Sequence, residues 1–189
     1  MGKTTAKAEE PGVRARLLDA ADRLFYAEGV RAVGIDRVLA EAEAAKASLY
    51  SHFGCKDELV GAYVERRAAY ARAAIDTFIA RIPPADRALR IFDWVVEWVE
   101  TPDFRGCPMQ HVLSELADGE HPARVVAAAQ REWLMARFVE WVKAAGAAHP
   151  KPLAGALVAL FDGAVAASLQ DGPQRARDAR WAAKVLLER

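Results

Sequence analysis

The segment KASLYSHFGCKDEL, residues 46–59, concentrates hydroxyl, imidazole and ammonium groups in one short stretch of the chain. If a helix begins at Lys46, Leu49 and Phe53 lie four residues apart on its buried face. Its solvent side then carries hydrogen-bond donors from Ser48, Tyr50, Ser51 and His52. Lys56 follows at the start of the next helix, where side chain and backbone amides together can hold a phosphate. The segment favours contact with a phosphate backbone, with ordinary helix capping as the alternative.

The chain upstream of this segment predicts two more helices. Residues 13–28 place apolar side chains at helical spacing, and Gly29 follows as a C-terminal cap. A second helix follows Gly34, with apolar residues recurring at intervals of three and four residues. Only the sequence EAEAA, residues 41–45, separates it from the helix that begins at Lys46. Two short helices joined by so brief a turn predict a helix-turn-helix whose second helix enters the major groove.

The run from Arg14 to Leu59 resembles the N-terminal DNA-binding domain of TetR-family transcriptional regulators. That family shares a pattern of LF, a Gly, an IA-like pair and then LY-x-HF-x-x-K-x-x-L. The matching residues are Leu24, Phe25, Gly29, Val38, Leu39, Leu49, Tyr50, His52, Phe53, Lys56 and Leu59. The family's turn usually reads Ala-Gly-Val-Ser-x-Gly, whereas residues 42–47 read AEAAKA. This departure bears on the operator sequence and not on the fold.

Eight residues are candidates for contacts with DNA, and the resemblance divides six of them into two groups. It implies phosphate contacts for Tyr50, His52 and Lys56. It implies base-edge contacts for Lys46, Ala47 and Ser48, whose ammonium, methyl and hydroxyl groups can read a few bases. Ser51 is a further donor, and Arg37 is a candidate that could equally be a surface charge. Residues 1–12 form a predicted flexible arm, which either reaches a groove or is a disordered tail.

Composition neither suggests nor contradicts a DNA-binding role. The net charge is 0 and the isoelectric point is about 6.9. Residues 1–56 carry nine Lys and Arg against eight Asp and Glu, so any positive field is local. Because affinity for DNA follows the number of phosphates neutralised, a monomer with few cationic contacts would bind weakly. We therefore expect two such domains to bind a two-fold-symmetric site together, which raises the affinity for DNA.

The 189 residues, 53% of them hydrophobic, predict an all-α protein of about nine helices. Residues 1–56 form the predicted DNA-binding domain, and residues 57–189 form a helical domain for ligand binding and dimerisation. The helices of the second domain are expected at 56–81, 85–100, 107–117, 122–145, 152–169 and 173–188. The first of these links the two domains mechanically. No apolar leader is expected, and the stretch 153–169, broken by Asp162, is expected to be too short to span a membrane, which points to the cytoplasm.

The helix predicted at 152–169 is apolar nearly all round, which requires cover on more than one side. Small residues recur every four positions at Gly155, Ala159, Gly163 and Ala167. With Trp181 and Val185 of the last helix, they fit the four-helix dimer interface that the TetR resemblance implies. An intramolecular core helix is the alternative.

The same resemblance implies a pocket for a small-molecule effector among the helices of the second domain. The candidates share aromatic, sulfur or imidazole side chains: Phe78, Trp94, Trp98, Cys107, Met109, His111, Trp133 and Phe138. This composition would suit an apolar or aromatic effector. An aromatic stripe at helical spacing is, however, also typical of core, and His111 fits a structural role equally well.

Two alternatives to a ligand-responsive repressor follow from the cysteines. Cys107, at a helix start, lies four residues from His111, the minimum for a thiol nucleophile and its base. Either Cys107 or Cys55 could instead be a redox sensor. No third catalytic group, CxxC pair or zinc spacing is readable, so we expect no enzyme activity, disulfide, metal or cofactor. The favoured interpretation is a homodimeric repressor that leaves a palindromic operator when the effector binds.

Overall fold

The structure, a computed structural model, describes residues 12–188. The predicted arm therefore lies outside the described residues, except for Gly12. Over the described range the chain forms nine α-helices, one turn of 3₁₀ helix at Pro84–Asp86 and no strand, which confirms the all-α prediction. The helices are α1 Val13–Glu28, α2 Ile35–Glu41, α3 Lys46–Phe53, α4 Lys56–Ile79, α5 Arg87–Val99, α6 Pro108–Glu115, α7 Pro122–Ala144, α8 Pro150–Asp171 and α9 Gln174–Leu187.

Helices α1 to α3 begin where the sequence predicts. Gly29, at φ 92°, ends α1 and donates its N–H to the Phe25 carbonyl. The turn between α2 and α3 lacks the family's glycine, and Glu43 takes the left-handed conformation there, at φ 48°. Arg16 Nε donates to the Ala42 carbonyl at 3.1 Å and so satisfies an orphan carbonyl at the end of α2.

Two hydrophobic cores meet along α4, which is about 36 Å long at 1.5 Å per residue. The first core joins α1, α2 and α3 to the first half of α4, up to Ala68, and to the facing ends of α6 and α7. The second core starts at Ile75 and takes in α5, α7, α8 and α9. Helices α4 and α7 approach closely at Gly61, where an added Cβ would lie 2.9 Å from Pro122 Cβ. Helices α1 to α3 are thus packed directly on helices of the rest of the chain.

Several helix boundaries differ from the predictions. Helix α4 ends at Ile79, and the helix predicted at 85–100 is a 3₁₀ turn followed by α5. Helix α8 begins at Pro150, not at 152, because proline is accepted throughout the first turn of a helix. The buried face of α7 includes Ala127 and Gln130, whereas Ala129 is exposed.

Helix α8 is long and apolar enough, by length and composition alone, to cross a membrane. The prediction that this stretch is too short was therefore wrong, since the helix extends to 22 residues. In the structure α8 packs against α5, α7 and α9, and its buried residues include Leu157, Phe161 and Val165. One face of this helix is core, and another remains exposed.

Candidate nucleic-acid interface and effector cavity

Helix α3 presents the polar face that the sequence predicts. Leu49 and Phe53 anchor it in the first core. Half of the Tyr50 surface is exposed, and the Lys46 side chain is 62% exposed, with only a long 3.9 Å approach to Asp36. The other predicted contact residues on α3 are exposed or half-buried: Ala47, Ser48, Ser51 and His52. Their contacts with DNA stay a prediction.

Lys56 and Arg37 are held by other parts of the protein. The Lys56 ammonium donates to the Val30 carbonyl at 2.8 Å and lies 6.0 Å from the centre of the Phe25 ring. An ammonium has three donors, so a phosphate contact remains open to it. Arg37 makes a bidentate pair with Glu28, which raises the pKa of the guanidinium. The carboxylate offsets much of its charge, so Arg37 is the weaker candidate for DNA.

A cavity of about 140 Å³ lies among α1, α4, α5, α6, α7 and α8. Four of the eight residues predicted for the effector site line it: Trp94, Trp98, Cys107 and Met109. The wall also includes Tyr26, Arg67, Gln110, Gln130, Arg131, Phe161 and Asp162. Because Tyr26 belongs to α1, the helices before α4 also contribute to the cavity wall.

The other four predicted residues lie elsewhere. Phe138 is fully buried in the second core, and Trp133 packs beside that core with the Arg137 guanidinium 5.6 Å from its ring. His111 stacks on Tyr26 with the ring centres 6.2 Å apart. Phe78 lines a separate shallow groove between α4 and α5. The structure therefore places these four side chains off the cavity wall.

The polar wall residues are ones that sequence reasoning missed. Arg67 makes a bidentate ion pair with Asp22, at 2.7 and 2.8 Å. Arg131 pairs with Asp162 at 2.5 Å. Among these residues, only Gln130 had a signal in the sequence that could have identified it. It is a polar residue at helical spacing within an apolar stripe, which is unusual unless its amide has a role.

Tyr26 ties α1 to the loop before α6. Its hydroxyl accepts from the Arg105 N–H at 3.0 Å and donates to the Gly106 carbonyl at 3.1 Å. Burial raises the pKa of Tyr26, so the phenol stays protonated and able to donate. The Arg67 guanidinium lies 4.1 Å from the centre of its ring.

Cys107 and His111 are not arranged as the thiol nucleophile and base that the sequence left open. Burial raises the pKa of the Cys107 thiol, which disfavours the thiolate. Its Sγ lies 3.8 Å from Met109 Sδ, and no hydrogen bond joins it to the His111 ring in the part of the chain described. Cys55 is a free, exposed thiol. Among residues 12–188 no group of three or more His, Cys, Asp or Glu could hold a metal ion.

An apolar groove runs along the outer faces of α8 and α9. It is lined by Ala156, Ala159, Leu160, Trp181, Ala182, Val185 and Leu186. Trp181 is 69% exposed, a large fraction for the side chain with the greatest apolar area. Gly163 is exposed on α8, while Gly155 and Ala167 are half-buried.

Comparisons with known proteins agree with this arrangement. The sequence profile of the bacterial regulatory proteins of the TetR family matches residues 17–63. The HTH-type transcriptional regulator LmrA of Bacillus subtilis (strain 168) is 31% identical over 125 residues, which span 64% of this chain and 66% of LmrA.

Solved structures extend the likeness to nearly the whole chain. SCO4454, a TetR-family transcriptional regulator from Streptomyces coelicolor, is 34% identical, with 93% of this chain and 94% of that chain covered and a TM-score of 0.87. A regulator from Streptomyces avermitilis is also 34% identical, with coverage of 94% and 97% and a TM-score of 0.85. Escherichia coli NemR in its reduced form shares the fold at 21% identity, with coverage of 92% and 97% and a TM-score of 0.78. The chain belongs to the TetR family of transcriptional regulators.

Proposed function

We propose that this protein is a repressor that binds a palindromic DNA operator as a homodimer in the bacterial cytoplasm. A small apolar or aromatic effector releases it from the operator. The observation that carries the proposal is the position of the cavity, which α1 of the DNA-binding helices lines together with five helices of the larger domain. A molecule in the cavity therefore contacts both parts of the chain at once.

The groove on α8 and α9 supports the homodimer. An exposed apolar patch bounded by small residues marks an interaction surface more often than it remains in water. An added Cβ at Gly163 would meet nothing within 4 Å in the single chain, so packing within the chain does not require glycine there. Close approach of a second copy of the chain would require a small residue at this position, since small residues let two helix backbones come together.

The proposed release follows from geometry. Two recognition helices must enter successive major grooves, about 34 Å apart on one face of the DNA. An effector can shift the protein only toward a state that it binds better. Since the cavity lies where α1, α4 and α6 meet, the better-binding state is one in which α4 has moved α3 away from that spacing.

The cysteine-based alternative has less support. A redox sensor reacts as a thiolate that solvent can reach. Burial instead raises the pKa of the Cys107 thiol, although the backbone N–H groups of Gln110 and Met109 donate to its sulfur and partly offset that effect. Cys107 fits better as an apolar part of the cavity wall.

Operator selection from random duplex DNA tests the proposal directly. The purified protein should enrich a palindrome whose half-sites are one helical turn apart, and the complex should contain two copies of the chain. Enrichment of a single, asymmetric site by one copy would contradict the homodimer. A compound that binds the cavity should then lower the affinity for the selected operator, and a compound that binds without any such effect would contradict the effector mechanism.

A further inference from the structure

Gln130 is a buried amide in an otherwise apolar stretch of the cavity wall. Only 9% of its surface is exposed, and it lines the cavity beside Ala127 and Leu134 of the same helix. An amide in an apolar setting lowers stability unless its hydrogen-bonding groups find partners. The partners of its amide oxygen and its amide nitrogen therefore determine what this buried side chain costs or contributes.

The contact with Arg72 identifies which end of the Gln130 amide is the oxygen. Arg72 Nε lies 2.6 Å from Oε1 of Gln130. A guanidinium has donors only, so the atom that it contacts must be the amide oxygen. The amide nitrogen then points away from Arg72, and among residues 12–188 no acceptor bonds to it. The cavity wall thus carries an unused hydrogen-bond donor.

Among residues 12–188, the charged side chains that line the cavity are all in ion pairs. The two arginines that line it are paired with carboxylates, Arg67 with Asp22 and Arg131 with Asp162. An ionic ligand would lose its hydration on entry without gaining a free counter-charge on the wall, which is unfavourable. The wall therefore favours an uncharged molecule.

One side of the cavity wall carries a cluster of aromatic rings. The Trp94 ring stacks against Phe161 at an interplanar angle of 10°, and its centre lies 5.2 Å from that of Trp98. Flat rings of this kind accept another ring face to face or edge to face. The volume, about 140 Å³, is close to the roughly 150 Å³ of an apolar cavity that holds benzene. A ligand with one aromatic ring fits this space.

We propose that Gln130 is the polar anchor of the cavity, and that the effector is an uncharged aromatic molecule that presents a carbonyl-type oxygen to the Gln130 amide nitrogen. The inference rests on the proposed function, because it names the chemical class of the effector. It assigns to Arg72 a positioning role, since the Arg72 contact keeps the amide nitrogen directed at the ligand.

Three probes of nearly equal size test the inference in the absence of DNA: acetophenone, ethylbenzene and benzoate. Affinities come from chemical-shift titrations of the intact protein. Acetophenone should bind roughly threefold to tenfold more tightly than ethylbenzene, the range that one net hydrogen bond supplies. It should also shift the side-chain amide signal of Gln130, which ethylbenzene should leave in place. Benzoate should bind more weakly than acetophenone.

Gln130→Met should abolish the preference for acetophenone while ethylbenzene still binds. Gln110→Met, which replaces the other glutamine of the wall, is the matched control and should keep the preference. Equal affinities for acetophenone and ethylbenzene, or an unmoved Gln130 amide signal, would overturn the inference. Tighter binding of benzoate than of acetophenone would contradict the conclusion that the effector is uncharged. If Gln130→Met does not fold, the amide signal of the parent protein decides. If none of the three probes binds, the cavity is also excluded as the effector site of the proposed function, whereas binding without release from the operator would contradict only that function.

Discussion

Glu115, near the end of α6, accepts a 2.8 Å hydrogen bond from the backbone N–H of Arg31 in the turn that leads into α2. The same carboxylate lies against Gly29, where an added Cβ would be 2.9 Å from Glu115 Oε1. Helix α6 also contributes Met109, Gln110 and Leu113 to the cavity wall. One short helix therefore both lines the cavity and contacts the turn that leads into the helix-turn-helix.

Replacing Glu115 with alanine tests this connection. Glu115→Ala should lower the free energy of unfolding by about 1 kcal/mol, because a backbone donor loses its partner. It should also speed hydrogen exchange at the Arg31 amide and weaken operator binding, since the turn before α2 is no longer held. Glu115→Gln retains an acceptor oxygen and is the control. Unchanged exchange at Arg31 in the alanine variant would show that the contact does not hold the turn.

The exposed face of α3 should separate affinity from sequence preference. Tyr50→Phe should weaken binding to operator and random DNA alike, because a phosphate contact carries no sequence information. Lys46→Ala should reduce discrimination at one base-pair position by about 1–3 kcal/mol. Lys143→Ala, in the last turn of α7, serves as the control that removes a positive charge far from α3. Binding titrations against the operator and single-position variants measure both effects. Parent-like binding by Tyr50→Phe and Lys46→Ala would place the recognition surface elsewhere.

The groove on α8 and α9 should be needed for assembly. Gly163 lies one turn of α8 beyond Ala159 and Leu160 of the groove. Gly163→Leu should produce monomers, because the added side chain has room in the single chain but would meet a second helix packed on this face of α8. Trp181→Glu should do the same by placing a charge in an apolar interface. Val125→Glu alters another exposed apolar residue, on α7, and should leave the dimer intact. Sedimentation velocity distinguishes the species. Dimers from both groove variants would rule out this face as the interface.

The turn of the helix-turn-helix should be strained at Glu43. A left-handed residue with a side chain costs on the order of 1–2 kcal/mol relative to the right-handed conformation. Glu43→Gly, which restores the glycine typical of the family, should therefore raise the free energy of unfolding by about 0.5–1 kcal/mol. Glu43→Ala removes the charge but keeps the strain, so it should give no such gain. Chemical denaturation of the three proteins provides the comparison. An equal gain from alanine would assign the effect to charge and not to the backbone.

The two cysteines should react at different rates. Cys55 is exposed, whereas burial raises the pKa of Cys107. Since the thiolate is the nucleophile, at pH 8 the buried Cys107 should be alkylated more slowly than the exposed Cys55, and the rate at Cys107 should rise as the pH is raised further. Cys55→Ser and Cys107→Ser assign each rate. Faster reaction at Cys107 at pH 8 would revive the thiol-based sensor.

The sequence by itself determined the local structure of the DNA-binding helices. Helices α1 to α3 begin at their predicted residues because their signals are local: apolar spacing, Gly29 after α1, and Lys46 after a short turn. It also identified four of the aromatic and sulfur residues on the cavity wall. Periodicity could do this because a helix whose apolar face is aromatic buries that face somewhere in the domain.

Only the tertiary structure decided which buried side chains meet in a cavity and which fill a core. Trp94 and Phe138 both follow helical spacing, yet one lines the cavity and the other is sealed between helices. Tyr26, Arg67 and Gln130 come from three helices far apart in sequence. Their roles depend on the partners that packing brings to them: the loop before α6, Asp22 and Arg72. A local sequence pattern cannot predict these contacts, because they arise from the way α1 and α7 pack against α4.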